Sequence, residues 1–121
     1  MTRIYKDKTG LGAGGYDVVS FFSDGKATPG DEKYTHQWEG TQWHFASADH
    51  RDAFAKDPER YAPQYGGHCA FAASFGGDAP GSPKAWSMVD GKLYFCANGV
   101  VTALWKIVPG RISSAERKWK A

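Results

Sequence analysis

Residues 34–47 read YTHQWEGTQWHFAS, and this stretch restricts the fold more than any other part of the chain. A Glu39-Gly40 pair between two runs rich in aromatic residues marks a hairpin closed by a two-residue turn. With that turn, Trp38 stands opposite Thr41, His36 opposite Trp43 and Tyr34 opposite Phe45. Side chains alternate along a strand, so Tyr34, His36, Trp38, Trp43 and Phe45 share one face, and Thr35, Gln37, Gln42 and His44 share the other. The first face is core and the second is wet, which predicts a buried His36 and an exposed His44. A second hairpin follows from WSMVDGKLYFCA, turning at Asp90-Gly91. It sends Trp86, Met88, Leu93 and Phe95 one way, and Tyr94 and Cys96 the other.

Short helices fill the remaining length. Asp17 is placed to cap one whose Val18, Phe21 and Phe22 share a face and which Asp24-Gly25 closes. Ser47 caps ADHRDAFAKD, which Pro58 interrupts; its inward stripe runs through His50, Ala53, Phe54 and Asp57. A third helix starts behind Gly66-Gly67, with Cys69 in its first turn. At least one of those glycines is expected at positive φ, where the chain turns tightly out of the Pro63 segment. Asn98 caps GVVTALWKI, Pro109-Gly110 breaks it, and ISSAERKW forms a last helix. Small β-hairpins packed with several short helices make an α+β fold. The opening GLGAGG lacks the spacing and the preceding strand of a phosphate loop. Residues 1–11 are therefore expected as a flexible lead-in, and residues 12–121 as one domain with no internal repeat.

A chain of 121 residues buries roughly 65% of the surface that its unfolded form exposes, enough for one core. Hydrophobic residues make up 41% and aromatics 15%, so the low hydrophobicity that marks disorder is absent. The net charge is +2 and no basic run interleaves with aromatics, which argues against nucleic acid as a partner. No apolar run approaches the ~20 residues of a membrane helix. Thr-Arg-Ile-Tyr-Lys-Asp-Lys after Met1 has no apolar signal region, which reads as cytoplasmic. In a reducing compartment the two cysteines are expected as free thiols. Cys69 faces the core from a helix start and Cys96 lies on the far side of its hairpin, so their directions are expected to diverge.

Three separated blocks, GGYDVVSFF, YTHQWEGTQWHFASADHRDAFAKDPERYAPQYGGHCAF and DGKLYF, occur in an order that resembles the YHS-domain proteins of bacteria. The likeness is to their longer, single-domain branch and covers about residues 12–108. It implies a treble-clef-like YHS core and a metal-binding role. Short YHS modules carry Phe-Cys-Ser-x-x-Cys where strand meets helix, presenting two thiolates to one ion. Here that stretch is Phe45-Ala46-Ser47-Ala48-Asp49-His50, so the two-cysteine site does not form and an imidazole replaces one sulfur. The long branch has Tyr where His68 stands and Asn where Cys96 stands, and both differences add a ligand type.

The expected site is thus a transition-metal site for copper or zinc. Cys69 thiolate would serve with imidazole from His36 or His50, because sulfur and imidazole suit these ions over Mg²⁺ or Ca²⁺. A helix N-terminus favours the thiolate. His68 and Cys96 are weaker candidates: helix neighbours diverge by ~100°, which sets His68 away from Cys69, and Cys96 reads as a plain strand residue. The same Cys69 fits a thiol-dependent enzyme or redox sensor, and the aromatic face fits an interaction module. No catalytic residue other than Cys69 is assigned. Ser47 and Ser74 lack a G-x-S-x-G elbow, and the carboxylates lie on turns and caps. The expected partner is a metal ion or small ligand.

Overall fold

The computed structural model describes residues 4–6, 8–77, 79–107 and 110–119. Both hairpins turn where the sequence places them. Glu39 and Gly40 have φ of 53° and 66°, and Asp90 and Gly91 have 52° and 75°, the paired positive φ that matches the right-handed twist of the flanking strands. Strand β1 (Asp31–Trp38) pairs with β2 (Thr41–Phe45), and β3 (Ser82–Val89) with β4 (Lys92–Cys96), each pair antiparallel. Trp38 faces Thr41 and His36 faces Trp43, as the alternation requires. Asp31, not Tyr34, stands opposite Phe45, because the register shifts between Asp31 and Thr35. A bulge of this kind bends the strand.

The helices are α1 (Val18–Ser23), α2 (Ala48–Lys56), α3 (Pro58–Tyr61), α4 (Ala70–Ala73), α5 (Gly99–Ile107) and α6 (Arg111–Trp119). Their starts follow local chemistry. Asp17 accepts from the N–H of Val19 and Ser20, Ser47 Oγ from the N–H of His50, and Asn98 Oδ1 from the N–H of Val101. Each satisfies a donor that the first turn leaves without a partner. Pro58 ends α2 and opens α3; Pro109 lies outside the described residues. The class is α+β.

The expectation of no internal repeat is overturned. One near-constant spacing carries the first half of the chain onto the second. Ala13, Gly14 and Gly15 have successive φ of 54°, 61° and 84°, and Tyr65, Gly66 and Gly67 have 58°, 64° and 86°. Each run sits in a 3₁₀ turn, Ala13–Gly15 and Gln64–Gly67. Next come matching bridges, Tyr16 to Pro29 and His68 to Pro80, and matching hydrogen bonds, Asp17 N–H to Thr28 O at 2.8 Å and Cys69 N–H to Ala79 O at 2.9 Å. Then each half has a long strand, a two-residue turn, a short strand, a side-chain cap and a helix, and each long strand shifts register near its start. The halves share little sequence beyond the glycines, the turn pairs and the caps, which is why the repeat was not legible.

Two hydrophobic clusters result. Val18, Phe21, Trp43, Phe45 and Phe54 build the first with Leu93 and Phe95; Tyr65, Ala70, Ala73, Trp105 and Ala115 build the second with Tyr94, Cys69 and Cys96. β4 therefore lies between them, and all of Leu93, Tyr94, Phe95 and Cys96 are buried. In the first hairpin the expected wet face is there, with Gln37 and Gln42 exposed opposite the buried Trp43 and Phe45, whereas β4 is covered on both faces. His36 and His44 are both half-buried, so the expected contrast between them is smaller than alternation alone suggests. At His44 the chain passes so close that a Cβ on Gly30 would lie 2.6 Å from its carbonyl carbon. The lead-in is also tied down where it is described: Tyr5 N–H donates to Gly66 O at 2.9 Å, and Leu11 forms a parallel bridge with Gln42. Among the described residues no helix is long and apolar enough to cross a membrane.

Gly66 and Gly67 both have positive φ, as the tight turn requires. A Cβ on Gly67 would also meet Pro63 Cγ at 3.3 Å. Gly67→Val is expected to cost about 1–3 kcal/mol from backbone strain alone, read as a lower urea midpoint; a wild-type midpoint contradicts the strain.

Candidate functional site

The repeat shows what surrounds Cys69. Asp17 is its counterpart in the first half and is fully buried. Asp17 Oδ1 accepts from Val19 N–H at 2.9 Å and Ser20 N–H at 3.2 Å, and Oδ2 from Ala46 N–H at 2.8 Å. The turn, the helix start and the strand end thus converge three backbone donors on one acceptor. In the second half the residues at the same places are Phe71, Ala72 and Ala97, and their backbone groups favour the Cys69 thiolate. The position that holds a carboxylate in one half holds a thiol in the other.

A further influence comes from β4. Cys96, at the place of Phe45, lies in the same buried cluster as Cys69, and each sulfur is the largest influence on the ionisation of the other. The expected divergence of the two cysteines is therefore wrong. Cys69 initiates α4 beside β4, with a parallel bridge to Phe95, and β4 turns its Cys96 face toward that same helix. Both thiols are free, and their exposures are 2% and 0%.

The pair is electrostatically asymmetric. The neighbouring Cys96 thiol, opposed by burial and helped by the backbone of Ala72, Ala97 and Phe71, lowers the Cys69 pKa from 9.0 to about 6. The neighbouring Cys69 and burial push Cys96 far up. Hydrogen bonds to the charged form favour it, and a like charge next to it disfavours a second ionisation. The site thus favours the thiolate at Cys69 and the protonated thiol at Cys96. A small cavity of about 140 Å³, bordered by Tyr5, Gly67, Gly81 and Phe95, lies beside the segments that carry the pair.

The histidines stand elsewhere. His36 meets the Phe54 ring at 5.9 Å between centroids, in the first hydrophobic cluster. His50 Nδ1 lies 2.7 Å from Asp17 Oδ2. His68 Nδ1 donates to Tyr65 O at 2.9 Å, and its ring packs between Tyr5 and Trp119 at 5.6 and 5.3 Å. Among the described residues no three His, Cys, Asp or Glu side chains are grouped to hold a metal ion. Of the five sequence candidates, the fold brings Cys69 and Cys96 together. The missed feature was their proximity, and the signal for it was the near-equal spacing of Asp17 to Phe45, 28 residues, and of Cys69 to Cys96, 27 residues.

No family model, curated protein or solved structure matches the chain. The YHS resemblance rests on its motifs.

Proposed function

We propose that this is a small thiol protein whose working centre is the Cys69–Cys96 pair, acting as a sensor of small peroxides. The observation that supports it most is the placement of Cys69 where the first half holds a buried carboxylate on three backbone donors, with Cys96 in the same buried cluster and the backbone of Phe71, Ala72 and Ala97 favouring the Cys69 thiolate. A thiolate is the nucleophilic form of cysteine, and a neighbouring thiol resolves the first oxidation product. Cys69 S⁻ attacks one peroxide oxygen; the S–O bond forms, the O–O bond breaks, and the departing oxygen takes up a proton. Cys96 sulfur then attacks the Cys69 sulfenic acid. The S–S bond forms, and hydroxide leaves with the Cys96 proton as water. The dithiol loses two electrons and the peroxide gains them. Burial of both sulfurs selects small oxidants over bulky electrophiles.

Stoichiometric hydrogen peroxide is expected to remove two hydrogens from the intact mass, reversibly with a thiol reductant, at a rate that falls as pH drops through about 6. Cys96→Ala is expected to stop at, or pass beyond, the sulfenic acid. A wild-type protein that never forms the intramolecular disulfide disproves the proposal.

A second reading rests on the same two sulfurs. Adjacent thiolates suit a soft ion such as Cu(I), while structural zinc takes four protein ligands. This is the copper expectation narrowed to Cys69 and Cys96, and it carries the YHS assignment with its treble-clef-like core. Stoichiometric Cu(I) uptake, lost in Cys69→Ser and with no peroxide-driven disulfide, favours it over the sensor. Two free thiols fit a reducing compartment, so the cytoplasm belongs to the proposal.

A further inference from the structure

The first half of the chain puts a different group on the same scaffold. Asp17 accepts from three backbone N–H groups and from His50, whose Nδ1 lies 2.7 Å from Oδ2. A carboxylate only accepts, so Nδ1 carries the proton and Nε2 is left as an acceptor. Nε2 lies 3.3 Å from Ser23 Oγ. Ser23 is exposed at the end of α1, and the His50 side chain is 22% exposed above a fully buried Asp17. Asp, His and Ser thus stand in the order orienting group, base, nucleophile.

The fold does not require this arrangement. At the corresponding places the second half has Cys69 for Asp17, Val101 for His50 and Phe75 for Ser23, and the same turn, hairpin and capped helix form around them. Immediately after Ser23 the chain passes through Asp24 in the αR region and Gly25 at φ 67°, a step that gathers successive N–H groups on one side. Ser20 Oγ is also 3.5 Å from His50 Nδ1, and the Ser23 hydroxyl has two competing acceptors, Val19 O at 3.3 Å and Asp24 Oδ1 at 3.1 Å. An arriving electrophile settles that competition in favour of His50, because a backbone carbonyl does not take up the proton and an imidazole is a stronger base than a carboxylate.

We propose that Ser23 is an acyl-accepting nucleophile with His50 as its base and Asp17 as the positioning residue, acting on small activated esters at an open surface. Ser23 Oγ forms a bond to the acyl carbon as its proton passes to His50 Nε2. The alcohol leaves with that proton. Water, deprotonated by His50, then releases the acid and frees Ser23. Gly25 and Lys26 N–H are the backbone donors nearest to the oxyanion along the chain. This site is independent of the cysteine pair.

The test is hydrolysis of p-nitrophenyl acetate by the full chain, with peptide mapping of the trapped acyl group. Wild type is expected to carry acetyl on Ser23. Ser23→Ala, a change at an exposed helix end, is expected to be at least about tenfold slower, the lower side of the range for positioned acid–base chemistry. His50→Gln is expected to lose the dependence of rate on imidazole ionisation. Ser23→Ala hydrolysing at the wild-type rate, or acetyl found only elsewhere, overturns the proposal.

Discussion

Asp17→Ala is expected to lower stability by about 3–5 kcal/mol, the range for removing one partner from a buried charged network. The alanine leaves the N–H groups of Val19, Ser20 and Ala46 and the Nδ1–H of His50 without their acceptor. Each buried donor so orphaned costs roughly 1–3 kcal/mol. Partial exposure of His50 lets water repair that one bond, so the sum is not reached. A loss of this size approaches the whole stability of a small domain, commonly about 5–15 kcal/mol. Asp17→Asn keeps one acceptor oxygen but turns an NH₂ toward groups that also donate, and is expected to fall between. Urea unfolding of the three proteins measures it. An Asp17→Ala midpoint within error of wild type means that the three-donor pocket contributes nothing to stability, and removes the argument from Asp17 to Cys69 as well.

What the sequence disclosed and what it hid have separate physical causes. The turns at Glu39-Gly40 and Asp90-Gly91 and the caps at Asp17, Ser47 and Asn98 were legible because each is decided within four residues by backbone sterics or one side-chain acceptor. The opposed faces of β4 were legible for the same reason: alternation is local. That both of its faces are covered was not, because that depends on α4, α5 and α6 packing from distant parts of the chain onto Tyr94 and Cys96. The bulge that displaces Tyr34 from Phe45 leaves no local mark in residues 31–35. The repeat is carried by backbone conformation while nearly every side chain differs, so Asp17 and Cys69 look unrelated until their donors are compared. The pairing of Cys69 with Cys96, and of His50 with Asp17 and Ser23, follows from that comparison and from nothing within a short window.

Stability is expected to rise between pH 6 and pH 9, and the rise is expected to vanish in Cys69→Ala. In the folded protein the Cys69 pKa is about 6, against 9.0 without the site. Between those values the native thiol has lost its proton and the unfolded one has not. The unfolded state then binds more protons, and stability climbs with pH by at most about 1.4 kcal/mol per unit. The contribution is fully present above the unfolded value and is lost as pH falls through the folded one. Cys96 has the opposite sign. Its folded pKa is raised, so above pH 9 only the unfolded chain ionises there, and stability declines again. The pair therefore yields a maximum near pH 9. Removing Cys69 removes both the climb and the like-charge part of the decline. The measurement is urea unfolding at intervals across that range under reducing conditions, alongside thiolate absorbance of the native protein. Wild type and Cys69→Ala that change in parallel with pH would mean that Cys69 ionises alike in the folded and unfolded chains. The backbone donors of Phe71, Ala72 and Ala97 would then not be stabilising a thiolate, and the proposed sensor would lose its nucleophile.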